Sequence, residues 1–113
     1  MAVPIITNFK PQLKGDTFRG GIFTIVPAVD LTGATVRCQF RKGGKRNQVV
    51  VELTGGNGIT ITDAVNSVYQ IDEITPLDWD VGNYNFDIEF TLSSGDIITP
   101  NEGILPVKQD TTF

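Results

Sequence analysis

The chain has 113 residues and a mass of 12.3 kDa, enough for one domain with a core of its own and too little for two. Its residues are 40% hydrophobic and 19% charged, a balance that is typical of globular proteins and argues against an intrinsically disordered chain. The net charge of -4 has the wrong sign for a general nucleic-acid binder, and the single cysteine excludes an internal disulfide.

The first 14 residues form an apolar segment that Pro4 and Pro11 interrupt. Because proline has no backbone N–H to donate, this segment is predicted to be an edge strand or an extended arm, and not a central strand. No basic stretch precedes an apolar run here, so we expect no secretion signal. Residues 1–14 and 106–113 both lack the alternation of the core strands, and we expect both to reach onto neighbouring molecules.

Short strands separated by turn residues make up the rest of the chain. The strand predicted most strongly is 83–92, where aromatic and aliphatic residues alternate with polar ones. Two local features are also predicted, a hairpin turn at 55–58 and a single helical turn at 75–79. The predicted strands span residues 16–28, 34–42, 48–54, 59–62, 68–71, 83–92 and 97–107.

The spacing of these strands indicates the fold class. Seven to nine short strands, with turn signals about every 8–12 residues and no helix of ordinary length, are typical of a sandwich. We therefore predict an all-β protein, an antiparallel two-sheet immunoglobulin-like β-sandwich of 7–9 short strands. Its predicted divisions are an N-terminal arm or edge strand (1–14), the β-sandwich domain (15–108) and a C-terminal tail (109–113).

The sequence offers no recognisable catalytic or metal-binding group. Histidine is absent, which removes the commonest general base, the commonest zinc ligand and every Ser-His or Cys-His pair. Cys38 lies on the inward side of its predicted strand, where a thiol behaves as a small apolar group. The acids between residues 72 and 80 lack the ligand spacing of a calcium loop. We therefore predict a non-enzymatic protein with no cofactor, no metal and no small-molecule substrate.

Basic and acidic residues are unevenly distributed along the chain. Ten of the thirteen acids lie between residues 47 and 107, a range that contains no lysine or arginine. Such separation favours docking between copies of the chain or against a charged partner. Nucleic acid is a weaker alternative, because five basic residues without interleaved aromatic residues make a poor nucleic-acid footprint on an acidic domain. The five clustered basic residues are Arg37, Arg41, Lys42, Lys45 and Arg46.

Two roles are open for this basic cluster. If the two best-defined strands are neighbours in a sheet, Arg37 and Arg41 form cross-strand ion pairs with carboxylates on the facing strand. The residues at the strand tip, Lys42, Lys45 and Arg46, are better placed to dock a partner. The carboxylates that would face the two arginines are Asp87 and Glu89.

The single tryptophan, Trp79, also has two interpretations. It could close one end of the core, as a large aromatic residue between two sheets often does. Alternatively, it could be the aromatic platform of a carbohydrate-binding site with polar neighbours. The residues of that alternative glycan site are Asp78, Trp79, Asp80 and Asn83.

Several stretches of the chain, taken in order, resemble one family. The sequence DLTGA at 30–34 opens a strand that ends in basic residues, and GITI at 58–61 begins a hairpin. The pattern G-x-Y-x-x-D-I-E at 82–89 forms the central strand. Across roughly residues 15–105, this succession resembles small immunoglobulin-like virion proteins of tailed bacteriophages and prophages, and in particular the N-terminal domain of baseplate upper proteins.

The resemblance implies a non-enzymatic structural part of a virion, in the head decoration, neck, tail or baseplate. Such a part is assembled in the cytoplasm of the bacterial host and is present in many symmetric copies. Its partners would be other virion proteins and copies of itself, with no nucleic acid and no membrane. A carbohydrate-binding or host-surface adhesin module is the alternative function. The candidate partner-binding residues are Ile5, Ile6, Phe9, Lys42, Lys45, Arg46 and Phe113.

Overall fold

A computed structural model describes residues 5–42 and 49–109, and these residues form nine β-strands and no α-helix. The all-β class predicted from the sequence is therefore confirmed. The described ranges contain no helix of the length and apolarity needed to cross a bilayer. The strands are β1 (Ile5–Ile6), β2 (Gln12–Leu13), β3 (Gly21–Thr24), β4 (Thr35–Lys42), β5 (Val49–Gly55), β6 (Gly58–Asp63), β7 (Val68–Ile71), β8 (Gly82–Thr91) and β9 (Ile97–Lys108).

The strands join in the order β1-β9-β8-β4-β5-β6-β7-β3, and β2 also pairs with β9. Most neighbours are antiparallel, but β1 and β2 run parallel to β9, and β5 runs parallel to β6. The sheet is therefore mixed, and not wholly antiparallel as the sequence predicts. It curls so that its two halves face each other across the core, where the rings of Tyr69 and Phe90 lie 4.9 Å apart.

The strand β8 lies at the centre of the core, as its alternation predicts. Tyr84, Phe86, Ile88 and Phe90 are all buried, and the residues between them are half-buried on the outer face. In the neighbouring strand β4, buried residues likewise alternate with more exposed ones. Cys38 of β4 stands opposite Ile88 of β8. Burial of these large side chains is the main stabilising contribution of the fold, at about 1.5–3 kcal/mol for each fully buried side chain.

The turn at 55–58 is not a hairpin. Only Thr54 and Gly55 pair with the next strand, and they do so in parallel, with Gly58 and Ile59 as partners. The Asp72 N–H donates to the Gly58 carbonyl oxygen at 2.8 Å. The chain therefore crosses here from one half of the sheet to the other, and does not fold back beside β5.

The helical turn predicted at 75–79 is also absent, and bends take its place. The backbone of Leu77 pairs instead with the segment that precedes β3. Its N–H donates to the Asp16 carbonyl oxygen, and its carbonyl oxygen accepts from the Gly15 N–H, both at 2.8 Å. Because these bonds to a distant segment satisfy the backbone of Leu77, no helical turn forms at 75–79.

Residues 5–13, here called the edge segment, lie along the outer side of β9. The N–H groups of Thr7 and Phe9 donate to the carbonyl oxygens of Glu102 and Ile104 at 2.7 and 2.9 Å. Of the two alternatives for the N-terminal residues, this part of the chain is an edge strand, and it does not reach away from the domain. Residues 106–108 likewise belong to β9 and do not extend as a tail.

Candidate functional site

The apolar residues predicted to bind a partner divide into two kinds. Ile5 and Ile6 are 54% and 63% exposed on the terminal strand of the sheet. Phe9 is half-buried instead, and its ring packs within the protein's own core. The aromatic neighbours of Phe9 are Phe86 at 5.4 Å, Phe18 at 5.2 Å and Phe23 at 6.4 Å.

The outer face beside β1 carries a shallow depression of about 330 Å³. Ile6 and Ile104 provide its apolar part, and Asn8, Asn85 and Glu102 provide its polar part. No charged residue occurs between Ile5 and Phe9. The part of the sheet edge formed by β1 therefore presents apolar side chains and strand backbone, and β1 itself carries none of the charges that usually protect such an edge.

The predicted pairing of the arginines with β8 is confirmed. Arg37 Nη2 lies 2.9 Å from Glu89 Oε1, and Arg41 Nη1 lies 3.6 Å from Asp87 Oδ1. These arginines are therefore engaged within the sheet. No ion pair is found for Lys42 within residues 5–42 and 49–109. The other partner-binding candidates, Lys45, Arg46 and Phe113, lie outside the described residues.

An open depression of about 420 Å³ lies beside Trp79 at one end of the sheet. The half-buried Trp79 ring packs against Phe40 and Tyr84, with ring centroids 4.9 and 5.2 Å apart. It therefore both closes the core and lines a surface site, so the two interpretations of this residue are compatible. The lining residues are Lys42, Val50, Asp78, Trp79, Asp80 and Tyr84.

The loop that carries Trp79 is fixed from two sides. Lys14 Nζ lies 3.4 Å from Asp78 Oδ1 and 3.8 Å from Asp80 Oδ1, and it donates to the Trp79 carbonyl oxygen at 3.4 Å. The Tyr84 hydroxyl donates to the Asp80 carbonyl oxygen at 2.6 Å, and burial, followed by the charge of Asp80, raises the pKa of this phenol. The loop is therefore held in place before any ligand arrives.

Asn83 does not join the other three residues of the predicted glycan site. It is exposed, it stands opposite Pro106, and it precedes the buried Tyr84 on β8. Successive residues of a strand point to opposite faces, so the side chain of Asn83 is directed away from the depression. The structure brings Lys42 there instead, because Lys42 stands opposite Tyr84 in the pairing of β4 with β8. That register was not evident from the sequence.

The described residues contain no group of three or more His, Cys, Asp or Glu side chains that could hold a metal ion. Cys38 is fully buried, and desolvation, with a smaller effect of Asp87, raises the pKa of its thiol. A thiol in this environment is a poor nucleophile, since the thiolate is the reactive form.

No family model and no curated protein matches the chain. Among solved structures, the chain is similar to CopC from Methylosinus trichosporium OB3b, with a TM-score of 0.50 and 12% identity, covering 91% of this chain and 88% of that one. It is also similar to extracellular domains 3–5 of Drosophila OTK, with a TM-score of 0.40 and 17% identity, covering 98% of this chain and 35% of that one. The likeness to CopC concerns the fold alone.

Proposed function

We propose that this protein is a non-enzymatic structural component of a tailed-phage virion, in the head decoration, neck, tail or baseplate. It acts by assembling with other virion proteins and with copies of itself, and assembly takes place in the cytoplasm of the bacterial host. The observation that carries the proposal is the exposed apolar edge formed by Ile5 and Ile6.

We further propose that the curled sheet is an immunoglobulin-like sandwich. The strands β6, β7 and β3 face the strands β5, β4, β8 and β9 across the core. Tyr84 supports this proposal, because its hydroxyl bonds to the backbone of Asp80, four residues earlier, at the start of a central strand. A tyrosine in that place and with that bond is a mark of immunoglobulin-like domains.

The edge segment is suited to bind another chain. Among the described residues, β1 pairs with β9 alone, so its other side offers N–H and C=O groups to an added strand. Ile6 and Ile104, with the depression between them, offer apolar area that an incoming strand would cover. From the resemblance of residues 15–105 to phage proteins, we propose that the incoming chain is another virion subunit.

Replacing Ile6 with aspartate is expected to reduce incorporation into particles at least tenfold while leaving the domain folded. The reason is that a carboxylate at the centre of the contact must be desolvated without a partner, which costs several kcal/mol. The measurement is the copy number of the variant in purified particles from a culture that produces it in place of the original protein.

The matched control for this variant is Ile97→Asp. Ile97 is 59% exposed, nearly as much as Ile6, but it is the first residue of β9, pairs with Thr91 of β8, and precedes the residues that pair with β1. Normal incorporation of the Ile97 variant together with loss of the Ile6 variant supports docking at the edge. Equal incorporation of Ile6→Asp and the original protein contradicts it.

The alternative proposal is a carbohydrate-binding or host-surface adhesin module. The observation that favours it is the depression beside Trp79, which combines an aromatic ring with carboxylates and an amine. Asn83, the fourth residue of the glycan site predicted from the sequence, takes no part in it. The two functions use different surfaces, so the same protein can carry both.

A further inference from the structure

We propose that the depression beside Trp79 binds one neutral sugar ring, with Lys42, Asp78 and Asp80 as the polar contacts. This inference rests on the alternative proposal of a carbohydrate-binding module. The site is separate from the apolar edge at β1, so it does not depend on the proposed role in assembly. Its volume of about 420 Å³ falls within the roughly 300–1,000 Å³ typical of small-molecule sites.

The charges around the depression select for a neutral ligand. Lys14 and Lys42 balance the negative charges of Asp78 and Asp80, so the depression has no net charge to attract a cation or an anion. Lys42 can donate hydrogen bonds, and the two carboxylates can accept them from hydroxyl groups. A molecule with many hydroxyl groups and no charge satisfies both kinds of residue.

The apolar side of the depression fits the C–H face of a pyranose. Trp79 supplies the aromatic surface, with the buried ring of Tyr84 behind it, and Val50 supplies aliphatic surface. The Trp79 ring is held in place by Phe40 and Tyr84, so little rotamer freedom remains to be lost on binding. An aromatic surface beside hydrogen-bonding groups is the combination that orients a ligand with one apolar face and a polar rim.

The polar groups are also fixed in advance. Lys14 draws Asp78 and Asp80 toward one ammonium group, yet their side chains remain 75% and 82% exposed and can accept further hydrogen bonds. The stem of Lys42 passes directly over Gly82, where an added Cβ would lie 2.7 Å from Lys42 Cε. Because Gly82 has no side chain, the stem of Lys42 can cross β8 there. It passes beside Tyr84, the residue that pairs with Lys42 between β4 and β8.

Titration with methyl glycosides tests this site, and the single tryptophan of the chain makes the test direct. The probes are the methyl glycosides of glucose, galactose, mannose and N-acetylglucosamine. The readout is the indole N–H resonance of Trp79 in a nitrogen–proton correlation spectrum of the full chain. We expect at least one probe to give a saturable shift. If none of the four does, the proposal is wrong.

Two substitutions connect such a shift to the proposed contacts. Lys42→Met and Asp80→Asn each keep side-chain size and remove a charge, and each should weaken binding about tenfold, the effect of losing one charge-assisted hydrogen bond. Asp96→Asn, in the exposed turn before β9, is the matched control and should bind as the original protein does. Unchanged affinity in both site variants would overturn the assignment, as would a saturable shift with tetramethylammonium chloride stronger than with any glycoside.

Discussion

Replacing Phe86 with alanine lowers the free energy of unfolding by about 3–5 kcal/mol, the usual cost of removing a buried phenyl ring. Phe86 is 3% exposed and lies between two other rings, Phe9 at 5.4 Å and Phe40 at 5.3 Å. The remaining cavity cannot close easily, because the strands on both sides of β8 are paired along its length. Urea denaturation followed by circular dichroism measures the change.

Thr91→Ala is the control on the same strand, since Thr91 is exposed and its loss leaves no cavity. We expect this substitution to change the free energy of unfolding by less than about 0.5 kcal/mol, as most surface substitutions do. A double substitution with Phe9→Ala adds a further test, because residues in contact show non-additive effects. If the effects of Phe9→Ala and Phe86→Ala add without a coupling term, the edge segment does not pack on β8 as described.

Gly103→Ala is expected to detach the edge segment from β9. A Cβ at this position would overlap the carbonyl oxygen of Thr7 and lie 2.6 Å from its carbonyl carbon. Backbone cannot move aside as a flexible side chain can, so the segment must lift away. The hydrogen bonds donated by Thr7 and Phe9 and the burial of the Phe9 ring are then lost. Together these losses lower the free energy of unfolding by about 3 kcal/mol.

Amide hydrogen exchange measures this detachment residue by residue. In Gly103→Ala, the Thr7 and Phe9 amides should exchange much faster than in the original protein, while the amides of β4 stay protected. The control is Gly55→Ala, whose Cβ would meet only a side-chain carbon of Val36, at 3.3 Å. Unchanged protection of Thr7 and Phe9 in the Gly103 variant would contradict the pairing of the edge segment with β9.

The alternation of residues predicts the central strands well, because burial on one face of a strand is encoded locally. The inward side chains of β8 and β4, and the ion pairs of Arg37 and Arg41, follow from that alternation once the two strands are placed side by side. The same rule could have excluded Asn83 from the glycan site, since it adjoins the inward Tyr84.

Features that depend on distant parts of the chain could not be predicted in this way. The edge segment pairs with a strand that lies nearly a hundred residues later in the chain; Ile5, for example, pairs with Asn101. Nothing in the sequence near Ile5 indicates that partner. The glycine-rich turn at 55–58 is compatible with a hairpin and with a crossing between the two halves of the sheet. Lys42 joins the Trp79 site only through the register of β4 against β8.

Sedimentation of a lysate from a producing culture on a density gradient tests the proposed virion role most directly. The fractions are probed for this protein and compared with the position of full particles. We expect the protein to migrate with full particles, at many copies in each. Recovery of all the protein at the top of the gradient, as free chains, would contradict the proposed structural role and leave the proposed sugar-binding site beside Trp79 as the better guide to function.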